Sequence, residues 1–327
     1  MHGLAVFVCL SLPLLSGGGA EKDSVENIHW RAEGILLEHG SAGTFDETAV
    51  KDPSIVCHEG RWHLFYTARS QGGYSIGCVG GDRLDALSSQ PQHKLACLQG
   101  DASAYVAAPQ VFYFTPQKKW YLVFQTDTAK YQPVYSTNTD IDRPDGWTPP
   151  QPLVHKTDPA KWIDFWVICD ETTACLFFTR NHEAVWVMKT PIERFPGGFA
   201  DPVAVFSPVH EAVHVYKVQG RDEYHMVYET RAEGDARRFG LARAARLSGP
   251  WQNVTDRFAA GDQLDFAASG THWTDEVSHG EMLRAGENQR LEYIPDHARM
   301  LIQGMPREEH RGDYPSLPWR LGVITRQ

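Results

Sequence analysis

The feature that most constrains this chain is a hairpin frame that recurs along it. Four times in 327 residues a polar residue opens an apolar run, a short turn follows, and a second apolar run returns. Asp52-Pro53-Ser54-Ile55-Val56 leads to Trp62-His63-Leu64-Phe65-Tyr66, and Gln110-Val111-Phe112-Tyr113-Phe114 leads to Trp120-Tyr121-Leu122-Val123-Phe124. Asp164-Phe165-Trp166-Val167-Ile168 precedes Cys175-Leu176-Phe177-Phe178, and His214-Val215-Tyr216 precedes Tyr224-His225-Met226-Val227-Tyr228. In every copy the opening residue stands 12 positions before Leu64, Leu122, Leu176 or Met226. A looser fifth copy runs from Ser278 to Arg284 and returns through Met300-Leu301-Ile302. The central residues are 58, 54, 50 and 74 positions apart, somewhat longer than the roughly 40–50 residues of common four-stranded blades. Hairpins that repeat at such a period bury their faces against one another. The pattern predicts an all-β, five-bladed β-propeller. Asp52, Gln110, Asp164 and His214 should converge at one end of its axis, with Glu211 beside them.

From residue 50 to 305 the chain alternates short aromatic-rich runs with Gly, Pro, Asn and Asp, and no linker divides it. Trp30 with Ile35-Leu36-Leu37, and the stretch ending Leu321-Gly322-Val323-Ile324, are expected to supply entry and closing strands. The apolar Leu4–Leu15 core followed by Ser16-Gly17-Gly18-Gly19-Ala20 reads as a signal peptide over 1–20, although its n-region has no Lys or Arg. Residues 21–327 then form one catalytic domain, secreted and monomeric. The net charge of −10 excludes a nucleic-acid partner, and no apolar run is long enough for a membrane span. Cys9 would leave with the signal. Cys57, Cys78, Cys97, Cys169 and Cys175 would remain, an odd number, with Cys169 and Cys175 placed to face each other across a hairpin turn. No Cys-x-x-Cys spacing suggests zinc, and Asn253-Val254-Thr255 is a glycosylation acceptor on a secretory route.

Three carboxylates, Asp52, Asp164 and Glu211, stand at or before the start of these inner runs. Glycoside hydrolysis needs one carboxyl group to protonate the leaving oxygen and another to act at the anomeric carbon. A third nearby can hold the acid protonated, because like charges raise a pKa. Any one strand-end Asp is more often a loop cap; three in one repeat frame shift the balance towards catalysis.

The segments Lys51–Val56, Ala108–Phe114, Trp162–Ile168, Glu211–Lys217, Ser278–Arg284 and Leu317–Gly322 together resemble glycoside hydrolase family 62, the arabinoxylan α-L-arabinofuranosidases. The resemblance runs over roughly residues 30 to 325, and the related family 43 shares the propeller. It implies Asp52 as the general base that activates water, Asp164 as the pKa modulator and Glu211 as the general acid. It also implies inversion, with base and acid carboxylates about 6.5–9.5 Å apart. Lys51, Gln110, Arg284 and Tyr314 match positions lining the arabinose pocket, and Trp162, Phe165 or Trp166 would supply an apolar wall. His279 resembles the histidine facing a calcium ion in the central channel, mostly through water; on spacing alone it is structural, since calcium prefers hard oxygen donors. Glu281, two residues on, competes for the acid role. The chain departs from the family where Tyr314-Pro315 replaces a usual Tyr-Asn. The substrate implied is arabinoxylan and its oligosaccharides. The rivals are a non-catalytic sugar-binding propeller and an endo-arabinanase or β-xylosidase on the same fold.

Overall fold

The computed structural model describes residues 28–98, 105–127, 132–156, 158–232, 236–268 and 270–327. The signal-peptide reading over 1–20 and Cys9 lie outside them. Five antiparallel-cored sheets form the five-bladed propeller. Their inner strands are Ala49–His58, Val106–Phe114, Trp162–Cys169, Glu211–Val218 and Ser278–Met282, here blades 1 to 5. The second strands, in the same order, are Arg61–Ser70, Lys119–Thr126, Thr173–Arg180, Tyr224–Arg231 and Arg299–Gly304. Blade 5 closes the ring with both ends of the chain. Arg320–Arg326 pairs with Arg299–Gly304 on one side and with the N-terminal strand Trp30–Leu37 on the other. Inner and second strands are buried almost throughout, and their Leu, Val and aromatic side chains form the largest core cluster. Period-2 alternation is weak here because strands covered on both faces have little use for polar residues. No helix among the described residues is long and apolar enough to cross a membrane.

Every inner strand carries a bulge at the same place. In blades 1 to 4, two residues stand opposite one on the second strand: Asp52-Pro53, Ala108-Pro109, Asp164-Phe165 and Ala212-Val213. The first of each pair is left-handed, with φ of 46°, 51°, 59° and 50°. Asp tolerates that conformation better than most residues; Ala does so only under constraint. In blade 5 the register breaks at His279. Bulges of this kind re-aim side chains, and they gather beside active sites.

A ring of side-chain caps holds the bulges. The second-strand residue paired with the pre-bulge position reaches forward to the bulge amide of the next blade. Thr67 Oγ1 accepts from Ala108 N at 2.8 Å, Gln125 Oε1 from Asp164 N at 2.9 Å, Glu229 Oε2 from His279 N at 3.0 Å and Gln303 Oε1 from Asp52 N at 3.0 Å. The fifth member, Thr179, makes no hydrogen bond through Oγ1. In its stead Asp164 Oδ2 accepts from Ala212 N at 2.8 Å. All five second-strand residues are buried, so an uncapped amide would cost about 1–3 kcal/mol.

The common count of 12 conceals a two-residue offset. Leu64 pairs with Ile55 and Leu176 with Val167, whereas Leu122 pairs with Val111 and Met226 with Val215. The turns of blades 2 and 4 are two residues longer. Gln110 and His214 therefore align with Ser54 and Trp166, not with Asp52 and Asp164, and sit roughly 7 Å further along their strands. The true counterparts of the two aspartates are Ala108, Ala212 and His279. The cysteines also depart from expectation. Cys57, Cys78, Cys97, Cys169 and Cys175 are all free. Cys169 pairs with Ala174, and Cys175 with Ile168, so the two thiols stand on opposite faces of their sheet.

Candidate active site

The bulge and pre-bulge positions come together at one end of the axis around a cavity of about 320 Å³. Asp52, Asp164 and His279 come from the bulge ring, and Lys51, Ile163 and Glu211 from the pre-bulge ring. Tyr74, Tyr105, Gln125, Lys161, Tyr314 and Pro315 complete the wall. His279 Nδ1 lies 3.4 Å from Asp52 Oδ1 and 4.0 Å from Asp164 Oδ1, tying the two aspartates together. Burial first, then the charges of Glu211 and Asp52, carry the Asp164 carboxyl up to about 6, against the pull of His279 and the Ala212 amide. Lys51 Nζ donates to Tyr314 Oη at 3.3 Å. The Tyr74 and Tyr105 rings are 5.0 Å apart, and Gln125 Nε2 donates to Tyr105 Oη at 2.8 Å. Directional polar groups around a partly aromatic wall suit a single sugar ring.

Glu211 stands in a different field. Arg237 Nη1 donates to Glu211 Oε1 and equally to Glu229 Oε1. Burial raises the Glu211 carboxyl, but Arg237, then His210 and His182, outweigh it and hold the group well below the usual carboxylate range. His182 Nδ1 donates to the His210 carbonyl at 3.1 Å and is 3.4 Å from Glu211 Oε2; His210 Nε2 is 3.8 Å from the same oxygen. Lys161 donates to His182 Nε2 at 2.7 Å and Arg231 to His210 Nε2 at 2.9 Å, so both rings accept on that side. Burial is the main cause that lowers both, His210 to about 4. Glu229 is fully buried and also accepts from Ser278 Oγ at 2.6 Å. Burial, joined by the charge of Glu211, pushes its carboxyl up to about 7 against Arg237.

Other expected site residues lie elsewhere. Both ends of the Gln110 amide bind the Val167 backbone, at 2.7 Å each. Trp162 is buried and stacked on Phe178, ring centroids 4.3 Å apart. Arg284 donates to the Ile55 and Val111 carbonyls at 2.6 and 2.9 Å and pairs with Glu281 at 2.7 Å. Gln110 and Arg284 brace the strands past the bulge ring, Trp162 packs in the core ahead of it, and Glu281 is withdrawn from the acid role by its pairing with Arg284. Tyr74, Tyr105, Gln125 and Lys161 are wall residues that the repeat frame did not point to. Tyr74 was nearest to being found, because it follows the Gly72-Gly73 turn and pairs with Arg69 at the Asp52 end of blade 1.

Two clusters bear on metals. His182, His210 and Glu211 offer ligand atoms within 4.8 Å of one another, but Lys161, Arg231 and Arg237 surround them with positive charge, which disfavours a cation. For calcium beside His279, the nearby channel oxygens of Ile55, Val111 and Glu281 are committed to Arg284. Its Nδ1 faces the aspartates, leaving Nε2 as its one ring ligand. This donor set fits only an ion held mainly by water.

The description "Glycosyl hydrolase family 62" matches residues 29–325. Alpha-L-arabinofuranosidase C of Cellvibrio japonicus is 30% identical over 308 residues, covering 91% of this chain and 47% of its own length, so the chain spans about half of that relative. The catalytic domain of a Coprinopsis cinerea GH62 alpha-L-arabinofuranosidase is 33% identical with a TM-score of 0.85, covering 92% of this chain and 98% of that one. The Podospora anserina alpha-L-arabinofuranosidase solved with cellotriose is 30% identical with a TM-score of 0.83, over 92% of this chain and 97% of that one. A thermostable family-43 glycoside hydrolase, 16% identical at a TM-score of 0.57, shares the fold alone. By a match that spans the propeller from its N-terminal strand to its closing strand, the chain belongs to glycosyl hydrolase family 62.

Proposed function

We propose that this chain is an exported α-L-arabinofuranosidase that removes arabinofuranosyl side groups from arabinoxylan with inversion. The observation that carries the reading is the meeting of Asp52, Asp164 and Glu211 on one sugar-sized cavity. A relative of the same family, 28% identical with a TM-score of 0.83, was solved with xylotriose, which supports a xylan backbone across the cavity mouth. Asp52, held by the His279 imidazole, is the base that deprotonates water. Glu211 is the acid that protonates the departing xylose oxygen. Arg237 keeps it ionised in the free enzyme, so it carries its proton at acidic pH, or when a bound sugar deepens the burial that already opposes Arg237. Asp164 adds negative charge and holds the Ala212 amide next to Glu211. Lys51 and Tyr314 bind arabinose hydroxyls, and Pro315 stands on the wall with no side-chain amide to offer.

Incubation with arabinoxylan tests the reading. Free arabinose with an intact backbone is expected. Xylo-oligosaccharides without arabinose would favour a backbone-cleaving rival, and binding without any product would favour a non-catalytic propeller. A second reading makes Asp164 the proton donor, because its carboxyl is the raised one of the pair; Asp164→Asn in place of Glu211→Gln would then show the selective loss described in the Discussion. The proposed calcium ion, held by His279 Nε2 and water, is expected to matter little. Chelation should lower Tm by about 1–2 °C, near 1 kcal/mol for a chain of this size. Unfolding of the whole chain by chelator, followed by circular dichroism, would contradict a water-held ion.

A further inference from the structure

The cap ring raises a question about Glu229. Its position needs only a hydrogen-bond acceptor, and the equivalent sites are filled by neutral Thr67, Gln125, Thr179 and Gln303. Capping His279 therefore does not explain a carboxylate, which is costly in a fully buried place. The charge faces Arg237, whose single Nη1 is shared between Glu229 and Glu211. Glu211 and Glu229 are directly paired across the strands of blade 4, and Arg237 comes from the third strand of that blade, Arg237–Ala244. Ser278 Oγ, on blade 5, donates to Glu229 and lies 3.4 Å from the same Nη1. Tyr314 covers the guanidinium, 4.9 Å from its ring centre.

Resting on the reading of Glu211 as proton donor, we infer that Glu229 is a positioning residue for that donor: by holding one side of Arg237, it prevents the guanidinium from pairing fully with Glu211. Two carboxylates compete for one cation, so Glu211 takes up its proton at a higher pH than it would with Arg237 to itself. The other charged or titratable groups facing Glu211 are His182 on blade 3, His210 ahead of its own strand, Asp164 and Tyr314; Lys161 and Arg231 stand behind the two histidines. None of them touches Glu229.

Glu229→Gln isolates the charge, since glutamine already serves as a cap at 125 and 303. The pH profile of kcat on arabinoxylan is the readout, because its alkaline limb reports the acid in the enzyme–substrate complex. With Arg237 released to Glu211, that limb is expected to move to lower pH by about one unit, about tenfold in rate along the limb. Arg237→Gln removes the cation and is expected to move the same limb upwards. A purely structural Glu229 would lower Tm without moving the limb. An unmoved limb in a folded Glu229→Gln enzyme overturns the inference, as does failure of that variant to fold, which would assign the charge to the scaffold. If Glu211→Gln lacks the signature of a proton donor, the functional reading fails first; if that signature is present and the Glu229→Gln limb stays put, only this inference fails.

Discussion

Asp52→Asn is expected to abolish arabinose release from arabinoxylan and from an activated aryl arabinofuranoside alike, each by on the order of a thousandfold or more. An inverting reaction must activate water whatever group departs, and an amide cannot take a proton from it. The substitution should leave the fold intact. The Asp52 backbone amide, which Gln303 caps, is untouched, and asparagine tolerates the left-handed bulge as well as aspartate does. His279 loses a charged partner at 3.4 Å but keeps an oxygen to face. Initial rates on both substrates, with Tm measured alongside, check this. Retained activity on the aryl substrate would remove Asp52 from the role of base.

Glu211→Gln separates the acid from the base through the leaving group. The xylan hydroxyl is a poor leaving group and needs a proton in the transition state, whereas an aryl oxide of low pKa needs little. The variant is expected to lose at least a hundredfold on arabinoxylan while keeping a much larger share of its activity on the aryl substrate. Arg237 would still have Glu229 as a carboxylate partner, so the buried cation is not orphaned and the propeller should hold. Equal losses on both substrates would argue against Glu211 as donor. The signature appearing in Asp164→Asn would move the role there.

The fold was readable because hairpin repeats with apolar, aromatic inner strands leave few other ways to bury them. Asp52, Asp164 and Glu211 were readable because the repeat frame brings the bulge and pre-bulge positions together, even though the bulge itself leaves no mark in composition. What misled the reading was turn length. Counting back from the second strand made Gln110 and His214 equivalent to the aspartates, yet the longer turns of blades 2 and 4 put them one layer deeper. Because the shift is two residues, they stay on the channel-facing side of their strands, and the error does not show in the hydrophobic pattern. Trp162 was expected at the pocket wall, but an aromatic residue in a buried strand packs where its neighbours leave room, and Phe178 offers a stacking face. Arg284 pairs with Glu281 and donates to two strand carbonyls, an arrangement set by three blades at once and invisible in any one segment. Glu229 and Arg237 escaped notice for a similar reason. They lie on second and third strands, outside the inner-strand frame, and reach the site only through side-chain contacts.

Direct displacement at the arabinofuranosyl centre is tested most directly by proton NMR of the first product formed from arabinoxylan. The β-anomer of arabinofuranose is expected to accumulate first and then mutarotate. The α-anomer appearing first would contradict the assignment of Asp52 as a base acting through water.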